Sequence, residues 1–161
     1  MPNCEESIKH YKLIKKSSFV IKWAQIVIYI ISLFLLIMSL TKPAFYISRV
    51  DYDAWSNSSF LFFLGWSAAL GGAADAFLIW LANPICIIGL LISFRKPLIG
   101  FCFCCLASIL AFSFSQLDSI VTSESGATSS IKSLELGYKF WLASILVLNI
   151  GTAIGLFKKK G

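Results

Sequence analysis

One carboxylate stands alone in a long apolar part of the chain. Asp75 is the only formally charged residue in 60–94, and Asn83 and Pro84 follow it. An acid inside a membrane is costly and is by default a candidate proton or cation site, and broken helices build carrier sites from such groups. The competing interpretation, which we prefer, places Asp75 at the membrane interface near a helix N-terminus, where the helix dipole favours a carboxylate.

The cysteines offer a second kind of chemistry. Cys102-x-Cys104-Cys105 could bind a soft metal such as Cu(I), and positions 102 and 105 share a helix face. The sole histidine is His10, however, and whether Cys86 approaches the cluster is open. Free cysteine is a common small buried residue, and an odd number argues against a disulfide framework. We expect reduced thiols that serve packing, with no metal and no cofactor.

Catalysis finds little support among the remaining residues. A nucleophile activated by histidine needs that histidine nearby, and His10 lies in the N-terminal tail. Paired acids are missing because Asp75 stands alone, and no Gly-rich phosphate loop with its lysine occurs. The sequence therefore predicts a protein that is not an enzyme.

The composition indicates the setting of these residues. Hydrophobic residues make up 58% and charged residues 14% of the 161 residues, against roughly 45–50% and about 25% in soluble domains. The length fits one domain, 1–161. The net charge of +6 lies mostly at the ends of apolar runs. Anionic lipid is therefore a better partner for it than nucleic acid.

A helix needs about 20 mostly apolar residues to cross a bilayer. The apolar runs of this length predict an all-α membrane protein with four transmembrane helices. We place the spans at about 19–40, 76–94, 98–117 and 138–157. The outer loops are then about 41–75 and 118–137. The second loop is rich in Ser and Thr, and we interpret it as mobile.

The run 60–94 is too long for one perpendicular span and too short for two spans with a turn. We expect Phe60–Leu70 to be an additional interfacial or re-entrant segment that does not cross. Pro84 should kink the span that follows, and Asn83 could satisfy a backbone group freed by the kink. In the alternative, Asn83 caps a new helix that starts at Pro84.

Small residues predict where helices approach closely. Gly151-x-x-x-Gly155 suits a packed interface, and Gly71 and Gly72 offer the same feature if their segment is helical. Asn149 projects away from Gly151 and could bond a second neighbour. Whether the neighbours belong to this chain or to another protein is open.

Aromatic and basic residues predict the orientation. Five tryptophans are candidate interface anchors: Trp23, Trp55, Trp66, Trp80 and Trp141. Nine basic residues fall on one side: Lys9, Lys12, Lys15, Lys16, Arg95, Lys96, Lys158, Lys159 and Lys160. Four fall on the other: Lys42, Arg49, Lys132 and Lys139. This bias predicts that both termini are cytoplasmic. The first apolar run is too long for a cleavable signal, so we interpret it as a retained span.

Two clusters carry a resemblance. One is Gly65-Trp66 with Trp80-Leu81-Ala82-Asn83-Pro84, and the other is Gly137-Tyr138-Lys139-Phe140-Trp141-Leu142-Ala143-Ser144. Together they resemble a loose group of uncharacterised small bacterial four-span inner-membrane proteins, over roughly the second half of the chain. The resemblance implies a bacterial inner membrane and no particular mechanism.

Three functions compete at this point. The first is a non-catalytic accessory or scaffold subunit that packs against another membrane protein or forms a homo-oligomer. The second is a small transporter or channel that uses Asp75, Asn83 and the Pro84 kink. The third is an immunity or resistance protein that binds a membrane-active toxin.

Overall fold

The computed structural model of the chain describes residues 4–48, 56–121 and 126–158. Four of its helices are long and apolar enough to cross a membrane, at Phe19–Leu40, Ala74–Ser93, Pro97–Gln116 and Leu136–Leu156. The predicted all-α, four-span architecture is confirmed, and the chain is a multi-pass membrane protein. Each observed boundary lies within two residues of its predicted position, which is the usual uncertainty of helix ends.

Helix α1 (Cys4–Leu40) contains the first span and packs along the last helix, α6 (Leu136–Lys158). Three polar side chains of α1 donate to backbone oxygens of α6: Gln25 Nε2 to Gly151 O, Ser32 Oγ to Ser144 O and Ser39 Oγ to Gly137 O, at 3.2, 2.8 and 2.7 Å. In lipid these groups have no water to bond, so pairing them fixes the register of the two helices.

The apolar run 60–94 forms three helical pieces. The first is α2 (Ser58–Leu64), continued by a 3₁₀ helix (Gly65–Ala69). After a turn, α3 (Ala74–Trp80) and α4 (Ala82–Ser93) form the second span. The predicted extra apolar segment is therefore a separate short helix. Trp80 Nε1 donates to Phe62 O at 2.8 Å, so the two arms lie side by side as a hairpin.

The second span is interrupted at Leu81, between α3 and α4. Pro84 has no N–H to give to the carbonyl of Trp80, four residues earlier, which accounts for the interruption at this turn. Asn83 lies inside α4, which begins at Ala82. The alternative in which Asn83 caps a helix starting at Pro84 is thus wrong.

The bundle is completed by α5 (Pro97–Ser113), which packs against α4 on one side and α6 on the other. A short 3₁₀ helix (Phe114–Gln116) ends it. Gly89 and Gly100 allow α4 and α5 to approach: a Cβ at Gly100 would lie 2.5 Å from the backbone of Ser93. The close contact is possible because both helices carry glycine there.

Three strands lie at one end of the bundle, which we call the sheet end. They are β1 (Phe45–Ile47), β2 (Ser119–Val121) and β3 (Thr128–Leu134), in the order β1-β3-β2 with both pairs antiparallel. The prediction of a mobile second loop is wrong over these strands, because they pair with each other and with the first loop. Residues 49–55 and 122–125 lie outside the described residues.

The core has two clusters. At the sheet end Ala44, Phe45, Ile79, Phe114 and Tyr138 pack together and join the sheet to the helices. Deeper in the bundle the core consists mainly of small side chains: Ala82, Cys86, Ala107, Ala111 and Ile145. The small residues draw the helices together there, whereas the sheet end is more open.

Candidate functional site

A partly open cavity of about 1,020 Å³ lies at the sheet end of the bundle. All four spans contribute to its wall, through Ser39, Ile79, Asn83, Phe114 and Trp141 among others. The volume is at the upper end of the range, about 300–1,000 Å³, of pockets that hold small molecules. This cavity is therefore the candidate site of the described structure.

The hairpin of α2 and α3 closes one side of the cavity. Gly65 makes the closure possible, because a Cβ there would lie 2.5 Å from Cδ1 of the Trp80 ring. Asn57 fixes the start of α2: its Oδ1 accepts the N–H of Ser59 at 3.0 Å. Asn-Ser-Ser before an apolar run is a helix-start signal that could have been found in the sequence.

The cavity wall carries no charged side chain among the described residues, and most of its hydroxyl groups are already engaged. Ser39 donates to Gly137 O, Ser67 to Leu64 O at 2.7 Å, and Tyr138 to Ala111 O at 3.1 Å. Ser58 differs from them. Its Oγ is buried against Gly137 and has no hydrogen-bond partner in the described structure.

Asp75 lies in the first turn of α3, exposed at the sheet end. It does not line the cavity, although its neighbours Ala73 and Ala76 do. The structure therefore does not bring Asp75 and Asn83 to one place. Asn83 instead accepts a hydrogen bond from Trp141 Nε1 at 2.7 Å, which ties α4 to α6.

Gly151 and Gly155 face α1. A Cβ at Gly151 would lie 2.6 Å from Tyr29 Cε1, and one at Gly155 would lie 2.8 Å from Gln25 Nε2. Asn149 points to a different neighbour, since its Nδ2 donates to Ser108 Oγ of α5 at 3.1 Å. The last span is thus packed on two sides within this chain.

Gly71 and Gly72 do not lie in a helix interface, and our prediction for them is corrected. Both lie in the turn between the 3₁₀ helix and α3. Gly72 has φ +74° with nothing within 4 Å of a Cβ added there. Glycine is favoured at this position because the turn needs a left-handed backbone.

The tryptophans divide into two groups. Trp23 and Trp66 are exposed, as expected of interface anchors. Trp80 and Trp141 are half-buried, bonded to Phe62 O and Asn83 Oδ1, and they line the cavity. For these two the anchor prediction is corrected, because their indole N–H groups are satisfied inside the protein. Trp55 lies outside the described residues.

The cysteines of α4 and α5 are free thiols, and they do not form one cluster. Cys102 is exposed on the bundle surface, whereas Cys105 contacts Asn149. Cys86 and Cys104 are buried and close enough to hydrogen-bond across the two helices. Within the described residues, no group of three potential ligands surrounds a metal position.

The fold and the cavity define a class: a four-span membrane protein with a small sheet and an apolar cavity at one end. No protein-family model, curated protein or solved structure matches the chain. Function is therefore argued from the geometry of the cavity and of the helix contacts.

Proposed function

We propose that the protein is a non-catalytic integral membrane protein, an accessory or scaffold subunit that packs against another membrane protein. The observation that carries this proposal is that five polar side chains of the described spans tie helices to one another: Gln25, Ser32, Ser39, Asn83 and Asn149. Because these groups are used in bonds between helices, they hold the bundle together and are not free to form a reaction centre.

A carrier that uses Asp75 and Asn83 has weaker support. A cation site in a membrane needs its polar groups to converge. Along one helical path these two residues would be separated by on the order of 12 Å, from a rise of about 1.5 Å per residue. Asp75 is also exposed. No contact among the described residues specifically supports an immunity role against a toxin.

The partner surface that we propose is the α2 ridge, defined as Phe60, Phe63, Leu64, Trp66 and Leu70. Leu70 is 81% and Phe63 64% exposed, at the sheet end. Exposed apolar patches of this kind mark membrane or protein contacts. Helices approach closely only where they carry small residues. In the described spans, Gly89, Gly100 and Gly151 already make such contacts within the chain. This supports the ridge, rather than the span surfaces, as the place of contact.

For the location, we propose a bacterial inner membrane with both termini cytoplasmic and the sheet end facing outward. The support is the basic bias of the sequence together with Arg95 and Lys96, which are exposed in the turn between α4 and α5, away from the sheet. Cytoplasmic loops carry such an excess of Lys and Arg.

Site-specific photocrosslinking in cells tests the scaffold role. A crosslinking side chain at Phe63, a ridge residue that does not line the cavity, should capture one discrete membrane protein, or a second copy of this chain if the scaffold is a homo-oligomer. The matched control is Ile109 of α5, which is 66% exposed on a span and should give lipid adducts. Lipid adducts alone from both positions, together with a monomer after mild solubilisation, would refute the role.

A further inference from the structure

The cavity has the chemistry of a site for an aliphatic chain. Its wall is built mainly from apolar side chains, including Phe45, Leu61, Ile79 and Phe114, and carries no charge among the described residues. It also lies between the spans themselves, since Ser39, Asn83 and Trp141 belong to the membrane-crossing helices. A molecule that enters between the spans would come from the hydrocarbon of the bilayer, so its apolar part would pass from one apolar surrounding to another.

The hydroxyl groups of this wall are not available to a ligand. Ser39, Ser67 and Tyr138 donate to protein carbonyls, and the Oγ of Ser58 is fully buried against Gly137. A ligand is therefore held by apolar contacts rather than by a hydrogen bond to these hydroxyls.

We propose that the cavity binds a fatty-acyl chain of a membrane lipid through apolar contacts. A helical protein segment fits the space less well, because a helix with its side chains is about 10–12 Å across and one side is already closed by α2. The acyl chain is the apolar group that a bilayer supplies in excess at this depth. Phe60, Leu64 and Leu70 of the α2 ridge also line the cavity, but this inference does not rest on the scaffold role.

The α2 hairpin forms one wall of the cavity. The hairpin is held against the bundle at Trp80, by the bond to Phe62 O and the contact with Gly65. Ala68 lines the cavity from the 3₁₀ helix, and Ala69 beside it is exposed and does not. The two alanines therefore form a matched pair for blocking the site without changing the composition of the helix.

Fluorescence quenching by brominated acyl chains tests the proposal. In the full chain with Trp23, Trp55 and Trp66 replaced by Phe, Trp80 and Trp141 remain, and both line the cavity. The protein is placed in saturated-lipid nanodiscs and titrated with dibromostearic acid or with dibromo-phosphatidylcholine. We expect saturable quenching in at least one series, and the responsive series identifies free fatty acid or phospholipid as the source.

The variants decide whether the chain enters the cavity. Ala68→Phe should remove the saturable component, whereas Ala69→Phe should keep it. Quenching that rises linearly with label and is equal in all variants would come from surrounding lipid and would overturn the proposal. A crosslink from the cavity-lining Leu70 to another protein that is lost in Ala68→Phe, without saturable quenching in the parent protein, would assign the cavity to a protein segment and also overturn it.

Discussion

At the scale of single residues, several polar groups of the spans are explained by the helix next to them. Asn83 and Trp141 are 58 positions apart in the chain and meet at 2.7 Å. Ser32 Oγ likewise donates to the backbone oxygen of Ser144, which is 112 positions away in the chain. Because lipid offers no competing hydrogen bonds, each such pair also selects one register of the bundle.

The Asn83–Trp141 bond gives a testable coupling. Asn83→Ala and Trp141→Phe should each destabilise the protein by about 0.6–2 kcal/mol, because each leaves the other group unpaired in an apolar site. The double variant should cost less than the sum of the two. Unfolding titrations in mixed detergent micelles measure these energies, with exposed Gln116→Ala as the neutral control. Strictly additive losses would show that the bond contributes nothing.

The sequence predicted some residue roles and missed others for identifiable reasons. Glycine spacing pointed to Gly151 and Gly155 but could not name α1 as their neighbour, because the partner of a helix face depends on the assembled bundle. Ser58 carried no signal, since a serine before an apolar run resembles any helix start. The burial of its Oγ against Gly137 depends on how α2 packs on α6, which only the fold reveals.

At the scale of elements, the spans followed from length and hydropathy, whereas the sheet did not. Strand β3 contains several Ser residues and a Lys, and lacks the dense β-branched pattern that indicates a strand. It is stabilised by pairing with β1 and β2, which come from different loops. Tertiary pairing therefore overrides a local composition typical of a loop.

A designed disulfide tests the pairing of the two loops. Tyr46 and Ser133 are partners across β1 and β3, and both are exposed. Directly opposed positions are close enough to be bridged, so Tyr46→Cys with Ser133→Cys should crosslink readily on mild oxidation. The control pairs Tyr46→Cys with Leu134→Cys, because Leu134 pairs with Phe45 and its side chain packs on the core face of the strand. Mass spectrometry of linked peptides gives the yields, and equal yields would contradict the register.

At the scale of the whole molecule, four spans put the sheet end and the chain termini on opposite sides of the membrane. Reporter fusions after Gly161 and within 122–125 should therefore report opposite compartments, with the terminal fusion cytoplasmic. The same compartment for both would contradict the four-span arrangement. Opposite compartments with the terminal fusion outside would keep the fold and reverse the proposed orientation.

The central claim is that the residues inside the bundle serve helix packing rather than transport. The most direct measurement compares the free energy of unfolding of Gly151→Leu with that of Asp75→Asn, using Ala153→Leu, in an open groove between α5 and α6, as the control. A leucine at position 151 would meet Tyr29 and Ile28.

We predict a loss of about 1–3 kcal/mol or more from Gly151→Leu because of this overpacking. Asp75→Asn, at an exposed helix start, should cost less than about 1 kcal/mol, and Ala153→Leu should be nearly neutral. An undisturbed Gly151→Leu beside a strongly destabilised Asp75→Asn would contradict the account, because the carboxylate would then have partners that a scaffold does not require.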